Sequence, residues 1–322
     1  MIISQTPYRL PLSGGGTDIN FYYKKKNGAF ISLSINQYVY VLLASRKIDQ
    51  NYLIQTTSTQ FSNKINSINH DLIRETLKFF KLKDKMHVGT YSTVPTRTGL
   101  GTSSAMVVGL VNCINEYKKL KLNKKKIYSI AYEIERKICK VRGGWQDQIV
   151  STYGGAIYVE ISKKEKIIVK NLSQIENLKK IVNNHLILVY TNIKRDSSLI
   201  IKDQENQNRI LELYDQLKKF NKDVIEIIKK PDIENLGKIF SHHWILKKKL
   251  SSKISDKKIN LFYDKISKIK NFLGSKMIGA GGGGFFLVCV KNKKNYLKSL
   301  ERKNISYLEL NYEAEGSQII KF

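Results

Sequence analysis

Apolar residues recur along this chain with two spacings, and these predict where strands and helices lie. After an opening β-type run that should break between Pro7 and Pro11, runs typical of strands occupy residues 29–45, 52–57, 88–94, 156–161 and 166–172. Apolar residues three and four positions apart predict helices over about 67–80, 105–120 and 124–140. On the last of these, the predicted buried stripe consists of Ile127, Ile130, Ala131, Ile134 and Ile138.

The second half of the chain is richer in helical spacing. A strand is predicted at 185–190, then long helices over 197–220, 221–229, 232–250 and 256–273, and a further strand at 285–290. With 322 residues the chain can bury a large core, and its length suggests two domains. A hydrophobic content of 42% without low-complexity runs indicates a chain that is folded throughout.

The start of the sequence has neither the basic residues nor the apolar run of a secretory signal, and no stretch approaches membrane-spanning length. We therefore expect a soluble, cytoplasmic protein without a membrane partner. The three cysteines lie far apart in apolar surroundings, which favours reduced thiols over disulfides or a metal site. The five histidines lack zinc-like spacing, and the His242–His243 pair is expected to pack on a helix.

The formal net charge of +29 comes mainly from lysines that are spread along the whole chain. A nucleic-acid-binding protein would concentrate arginines and aromatic residues on one face, or carry a known binding module, and the sequence shows neither. We therefore expect no nucleic-acid partner. The charge should instead attract small anionic substrates.

A loop of small residues, Gly99-Leu100-Gly101-Thr102-Ser103-Ser104, lies between a predicted strand and a predicted helix. Glycines let a backbone approach a bulky anion, and the start of a helix offers unpaired N–H groups. The loop is therefore built like a phosphate-binding loop. It lacks the lysine of the P-loop pattern, which excludes an ordinary P-loop NTPase here. A simple glycine- and serine-rich helix cap is the alternative.

Three further stretches carry candidate chemistry. The glycines before Asp18 form a tight turn that presents a carboxylate to a polyhydroxylated ligand, although Asp18 could simply cap the next segment. Arg9 lies among apolar residues and needs a partner if it is buried. Asp147 follows a glycine turn, as a loop cap or a catalytic group, while Glu133 and Glu135 are by default solvated on their helix.

The glycines from Gly279 to Gly284 formally satisfy the dinucleotide-binding fingerprint. That fingerprint requires a following helix, but the next residues read as a strand, which excludes a Rossmann fold here. Five glycines that link two strands instead predict a flexible hairpin-like loop that lies against a ligand.

Three segments of the chain resemble, in order, the three motifs of the GHMP small-molecule kinases. They are residues 7–18, the 99–105 loop and the 279–285 loop, and the resemblance extends over essentially the whole chain. The resemblance implies an α+β fold in two parts. The expected parts are an N-terminal ATP-binding and catalytic domain of the ribosomal-protein-S5-domain-2-like type at 1–165, and a ferredoxin-like C-terminal GHMP domain with added helices at 166–322. The catalytic cleft should lie between them.

The resemblance also implies roles for residues. Asp147 would be the catalytic aspartate, with Arg9 paired to it, and the loop Gly99, Leu100, Gly101, Thr102, Ser103 and Ser104 would bind the phosphates of ATP. Mg²⁺ would be bound by Ser104 and by Glu135, which lies twelve residues before Asp147, as in galactokinases. Sugar binding would fall to Gly15, Gly16, Thr17, Asp18 and Gly144, and the third-motif loop would contribute Gly279, Gly281, Gly282 and Gly283.

Within the family, the residues of the motifs are most similar to those of the D-glycero-D-manno-heptose 7-phosphate kinases, and next to those of L-fucose kinase domains. This implies phosphorylation of the anomeric hydroxyl of that sugar phosphate, for nucleotide-activated heptose and surface polysaccharide. Gly15 and Gly16 replace bulkier residues of galactokinases, which favours a larger sugar. Candidates for the sugar phosphate are Arg195, Arg142 and the lysines at 24–26. A 1-kinase for another sugar, a non-catalytic sensor, and a homodimer stay open.

Overall fold

The computed structural model describes residues 1–96, 98–172, 176–193, 197–205 and 209–321, with Ser197 and Ser198 described by their backbone alone. Within these residues, helices pack against two sheets, so the fold is α+β as predicted. The larger sheet contains β1 (Ile2–Ser13), β2 (Gly28–Ser45), β3 (Tyr52–Gln55), β4 (Thr59–Ser62), β5 (Met86–Ser92), β6 (Ala156–Ile161) and β7 (Ile167–Asn171). The smaller sheet contains β8 (Leu186–Tyr190), β9 (Phe272–Met277), β10 (Phe285–Val290) and β11 (Tyr307–Glu309).

β1 continues through both of its prolines, so the predicted break between Pro7 and Pro11 was wrong. It pairs antiparallel with β2 from Ile2 to Ser13, with register shifts directly after Pro7 and between Pro11 and Ser13. Proline lacks the N–H that a regular ladder needs, and such irregular positions tolerate it. The shifts therefore allow one long strand to contain Arg9 and to continue as far as the Gly14–Asp18 turn.

The first half of the chain contains α1 (Asn20–Tyr23), α2 (Asp71–Phe79), α3 (Thr102–Tyr117), α4 (Lys124–Tyr132) and α5 (Gln146–Tyr153). α3 packs on β1 and β2, and every residue from Ser104 to Ile114 is buried, which fixes the start of this helix against the sheet. α5 was not predicted from the sequence, because it spans only 8 residues and directly follows a glycine turn. Asp147 lies in its first turn rather than in a loop.

α4 continues into a π-helical turn over Glu133–Ile138, where a regular helix was predicted. A π turn holds one residue more than an α turn and so rotates the side chains that follow it. As a result, Ile138 is 41% exposed instead of completing the predicted apolar stripe, and Glu135 is fully buried. Glu133 stays exposed, as was expected of both glutamates.

The second half contains α6 (Glu176–His185), α7 (Ser197–Glu205), α8 (Ile210–Lys229), α9 (Ile233–Lys248), α10 (Lys257–Ser267) and α11 (Lys293–Arg302). α8 is continuous where two helices were predicted, and Asn221 in its middle donates from Nδ2 to the Ala29 carbonyl at 2.9 Å. α9 packs on β9 and β10. No helix within the described ranges is both long enough and apolar enough to cross a bilayer.

The C-terminal residues return to the larger sheet. β12 (Tyr312–Glu313) pairs with β2, and β13 (Gln318–Ile320) pairs with β1. This brings the described strands of the larger sheet to nine, in an arrangement that the sequence did not indicate. The division of the chain at residue 165 stays a prediction, with the added fact that β12 and β13, near the C-terminus, belong to the sheet of the first half.

Candidate active site

A cavity of about 1030 Å³ opens between the larger sheet and the helices of the second half. This volume is at the upper end for small-molecule sites and leaves room for two ligands side by side. Three predicted segments meet in it: Arg9 with the Gly15–Asp18 turn, the loop that contains Gly99 and Gly101, and the glycine loop at Gly279. Its walls also include Arg142, Gly144 and Asp147.

Arg9 and Asp147 form an ion pair at the centre of the cavity. Arg9 Nε donates to Asp147 Oδ1 at 2.6 Å, and Arg9 Nη1 donates to the Gly99 carbonyl. The Arg9 side chain is 7% exposed and that of Asp147 is 21% exposed, so the carboxylate still reaches the cavity. The prediction that a buried Arg9 needs a partner is thereby confirmed. One guanidinium joins a strand, the phosphate-type loop and α5.

The loop that resembles a phosphate-binding loop, residues 99–104, leads directly into α3. Gly101 is the N-cap of that helix, with φ 77°, and it has no side chain to cap the first amides. Those amides have no intrahelical acceptor, so they are available to an anion at the positive end of the helix. A Cβ on Gly101 would lie 3.0 Å from Asp147 Cγ, which keeps this position small. Of the six predicted loop residues, Gly99, Gly101, Thr102 and Ser103 line the cavity, while Leu100 and Ser104 are buried behind it.

Glu135 lies directly behind this loop and is surrounded by donors. Ser103 Oγ and Ser104 Oγ donate to its two carboxylate oxygens at 2.8 and 2.5 Å, and Gln148 Nε2 donates at 2.6 Å. Arg136 Nη1 lies 3.3 Å from the same carboxylate, and its Nη2 lies 3.7 Å from Asp147 Oδ2. Arg136 therefore connects the predicted metal ligand to the predicted catalytic aspartate.

The donors around Glu135 fit a magnesium ion in kind, because carboxylate and hydroxyl oxygens are the ligands that Mg²⁺ accepts. Glu135 is the carboxylate of this group, with the hydroxyls of Ser103 and Ser104. No cluster of three or more His, Cys, Asp or Glu side chains suited to a metal occurs among the residues that the structure describes. A magnesium ion here would consequently take most of its remaining ligands from water and from substrate phosphates.

Asp18 is held in a fixed orientation at the end of the Gly14–Asp18 turn. Its Oδ2 accepts from the Gln146 backbone N–H at 2.8 Å and its Oδ1 from the Gly16 N–H at 3.1 Å. Burial raises the pKa of Asp18, the Gln146 hydrogen bond opposes this, and the nearby Asp147 carboxylate raises it further. Thr17 does not line the cavity, since its hydroxyl donates to the carbonyls of Gly14 and Ala29 and so closes the turn.

The two glycines that were expected to enlarge the pocket differ in their surroundings. A Cβ on Gly15 would meet its nearest atoms only at 4.0 Å, so this glycine does leave room. A Cβ on Gly16 would lie 2.3 Å from Tyr214 Cε1, because the ring of Tyr214 from α8 occupies that space. The expectation of extra room at Gly16 was therefore wrong. Glycine there lets Tyr214 close one side of the pocket.

Because Asp18 is a predicted sugar ligand, replacing Gly144 with alanine is expected to weaken sugar binding by about fivefold or more. The new Cβ would lie 2.1 Å from Asp18 Oδ2, so the carboxylate must move, and overpacking of this kind costs about 1–3 kcal/mol. Steady-state kinetics should show a raised KM for the sugar at an unchanged KM for ATP. Gly89→Ala, whose Cβ would meet nothing closer than 3.6 Å, is the control. An unchanged sugar KM would contradict this role of Asp18.

The raised pKa of Asp18 predicts how stability depends on pH. The folded state keeps the Asp18 proton to a higher pH than the unfolded chain does, so folding takes up a proton between the two pKa values. The free energy of unfolding, relative to that of Asp18→Asn, should therefore fall as pH rises from about 4 through the folded-state pKa. Urea unfolding of both proteins across this range measures the difference. A difference that rises with pH would contradict the burial effect.

The third glycine loop contacts the cavity through Gly279 and Ala280. The glycines that follow are packed against protein: a Cβ on Gly281 would lie 2.7 Å from Ile254 Cγ2, and Gly282 N–H donates to the Ile254 carbonyl at 2.8 Å. Likewise, a Cβ on Gly283 would lie 2.5 Å from the Ile193 carbonyl. These three glycines therefore fix the course of the loop, and its first part, Gly279 and Ala280, faces the cavity.

The basic residues proposed for a sugar phosphate divide into three groups. Arg142 lines the cavity, and its Nη1 pairs with Glu205 Oε2 at 2.5 Å. Lys26 pairs with Asp215 at 2.5 Å and does not line the cavity. Lys24 and Lys25 are exposed and do not line the cavity either. Arg195 lies outside the described residues.

Several cavity residues were not identified from the sequence. The main ones are Arg136, Tyr214, His243, Lys247 and Lys276. Lys276 carried the only local signal, since it lies three residues before Gly279. His243 was expected merely to pack on a helix, which it does, but one face of it also borders the cavity.

Comparison with known proteins identifies related sequences and structures. Residues 68–155 match the family model described as GHMP kinases N terminal domain. The chain is 30% identical to the D-glycero-alpha-D-manno-heptose 7-phosphate kinase of Campylobacter jejuni, covering 98% of this chain and 97% of that protein. It is 24% identical over 80% of its length to the L-fucokinase/L-fucose-1-P guanylyltransferase of Bacteroides fragilis, of which it spans 28%. A solved D-glycero-D-manno-heptose 1-phosphate kinase from Bacteroides thetaiotaomicron, at 24% identity, has the same fold, with a TM-score of 0.82 over 100% of this chain and 99% of the other.

Proposed function

The chain belongs to the GHMP kinases and is an ATP-dependent sugar kinase of that family, and from this premise we propose that its substrate is D-glycero-D-manno-heptose 7-phosphate. The proposed reaction transfers the γ-phosphoryl group of ATP to the anomeric hydroxyl and gives the 1,7-bisphosphate. The observation that carries the proposal is the 2.6 Å pair of Arg9 and Asp147, which faces the cavity directly beside the start of α3. At this point a sugar hydroxyl near Asp147 and a triphosphate at the start of α3 would lie next to each other.

Each part of the proposed reaction has a residue suited to it. The amides at the start of α3 would bind the phosphates of ATP, and the base would lie toward the end of the cavity that Leu72, Tyr91 and Met106 line. Asp147 Oδ2 would accept the proton of the sugar hydroxyl, while Arg9 orients that carboxylate and stabilises charge that develops on the transferred group. Proximity and electrostatics, more than covalent chemistry, would supply the rate.

We propose that Ser104 and Glu135 bind Mg²⁺ together with the ATP phosphates, as the sequence predicted. Ser103 belongs to the same set, because its hydroxyl bridges Glu135 and the cavity wall. The ion would neutralise charge on the phosphates during transfer. Arg136 would hold Glu135 and Asp147 in a fixed relation, since its guanidinium approaches both carboxylates.

Asp18 would orient the sugar by accepting hydrogen bonds from ring hydroxyls, with Gly15, Gly16 and Gly144 shaping the pocket around it. The likeness to the Campylobacter jejuni heptose 7-phosphate kinase over nearly the full length supports a heptose phosphate. L-fucose is the second candidate, supported by the likeness to the Bacteroides fragilis fucokinase. A non-catalytic sensor has less support, because Asp147, Ser104 and Glu135 are all present and are linked by contacts with one another and with Arg136.

An ATP-consumption assay with heptose 7-phosphate, free heptose and L-fucose tests the proposal, with Asp147→Asn as the inactive control. We expect the largest kcat/KM for heptose 7-phosphate and phosphate incorporation at the anomeric carbon, identified by nuclear magnetic resonance of the product. A larger kcat/KM for fucose would replace the proposed substrate. Absence of turnover with every sugar would favour the sensor. The proposed product suits a later nucleotidyl transfer that activates the heptose. We propose a cytoplasmic location, because the reaction consumes ATP.

A further inference from the structure

One wall of the cavity carries three basic side chains that the proposed reaction does not use. Lys276 extends from β9, and His243 and Lys247 extend from neighbouring turns of α9. Their exposed fractions are 2%, 5% and 7%, so all three are buried, yet each borders the cavity. Basic side chains are rarely buried to this degree without a counter-charge.

Lys276 is the most informative of the three. Its Nζ donates to the Leu12 carbonyl at 2.5 Å and lies 5.0 Å from the ring centre of Phe240. Both contacts are neutral, and within the described part of the chain Lys276 forms no ion pair. Burial, together with the nearby positive charge of Arg9, lowers the pKa of Lys276 to about 7. A buried ammonium of this kind costs folding free energy, which an anionic ligand would offset.

His243 adds an unpartnered polar atom to the same wall. Its Nδ1 is buried and has no hydrogen-bond partner among the residues that the structure describes. Burial lowers the pKa of His243 well below its usual value, and the charges of Lys276 and Lys247 act in the same direction, so the imidazole is neutral. The ring of Phe220 from α8 lies 6.2 Å away and contributes no charge. A neutral imidazole can still donate a hydrogen bond to an anion.

Lys247 is fixed in place beside them. Its Nζ donates to the Met277 carbonyl at 2.9 Å and to the Gly279 carbonyl, so it spans the end of β9 and the start of the third glycine loop. This leaves its charge at the cavity wall in a position set by backbone atoms. A fixed cation loses little conformational entropy when it binds an anion.

The position of this wall indicates which anion it meets. Leu12, the acceptor of Lys276, directly precedes the turn that holds Asp18, so the wall lies at the sugar end of the cavity rather than at the start of α3. Arg142 offers a contrast, because its charge is already paired with Glu205 at 2.5 Å. The charge that has no ion-pair partner among the described residues is that of Lys276, on the β9 side of the cavity.

We propose that Lys276, His243 and Lys247 bind the phosphate group that the sugar substrate already carries. This assignment rests on the proposed function and deepens it, because it makes these residues the determinants that favour a phosphorylated sugar over a free one. A phosphate monoester near neutral pH carries up to two negative charges and three acceptor oxygens, which matches two ammonium groups and one imidazole donor.

Lys276→Met tests the assignment, since methionine is of similar length and uncharged. We expect the KM for heptose 7-phosphate to rise about 10–100-fold, the usual size of one charged hydrogen bond, while the kinetics with free heptose and the KM for ATP change little. Lys238→Met, on an exposed turn of α9, removes the same charge and should change none of these values. Equal losses with both sugars, or a raised KM for ATP, would overturn the assignment.

Thermal unfolding keeps the test independent of catalysis. Because a buried charge is removed, Lys276→Met should unfold at the same or a higher temperature than the wild type without ligand. With ADP present to occupy the phosphate loop, inorganic phosphate should stabilise the wild type and Lys238→Met but not Lys276→Met. Equal stabilisation of all three would overturn the assignment. A wild type that turns over no heptose would instead refute the proposed function, and the phosphate shift would still decide the subsite.

Discussion

Asp147→Asn is expected to lower kcat by about 10²–10⁴-fold, the usual contribution of a general base, while the protein stays folded. The amide keeps the shape of the carboxylate and one oxygen that can still accept from Arg9 Nε, so the contact seen at 2.6 Å is preserved. What is lost is an atom basic enough to take a proton from the sugar hydroxyl. Because only the chemical step changes, the KM for ATP should stay within a few-fold of the wild-type value.

Two measurements separate this effect from misfolding: the rate constant of phosphoryl transfer in single-turnover experiments, and the midpoint temperature of thermal unfolding. Asp264→Asn is a matched control, since it makes the same chemical change on an exposed part of α10. If Asp147→Asn turned over sugar at close to the wild-type rate, Asp147 would have no role as a proton acceptor. The proposed mechanism would then have to rely on positioning alone.

Arg9→Ala is expected to lower kcat by about 10²–10³-fold, the cost of removing one preorganised donor from a transition state. The substitution releases both contacts of the guanidinium, to Asp147 and to the Gly99 carbonyl, so the carboxylate loses its orientation as well. Arg9→Lys keeps the charge but lacks the planar, forked guanidinium that fits both partners, and should lie between alanine and the wild type. Arg9 is buried, so unfolding must be measured in parallel.

The double variant Arg9→Ala with Asp147→Asn gives the sharper result. Residues that act as one unit show losses that do not multiply. The double variant should therefore be hardly slower than the worse of the two single variants. Full multiplication of the two losses would show that Arg9 and Asp147 act independently, against the geometry of the pair.

The sequence alone was sufficient for the local features. Helical spacing located α3 and the core of α4, and the glycines at 99–104 identified a loop built for an anion at the start of a helix. The preference for Glu135 over Glu133 rested on the resemblance to galactokinases, through its separation from Asp147, and the structure buries Glu135 beside Ser104 while Glu133 stays exposed. These features depend on neighbours within a few turns of the chain, which a sequence displays directly.

Other features depend on contacts between remote residues, and only the tertiary structure decided them. β1 continues through two prolines because β2 pairs with it irregularly, and β13 joins β1 from the other end of the chain. The space beside Gly16 is occupied by Tyr214, about two hundred positions later, so the glycine does not enlarge the pocket. The burial of Lys276 against Leu12 could not be read from its neighbours either. A sequence specifies which side chains are available, but burial and charge balance are set by the elements that pack around them, and those elements come from distant parts of the chain.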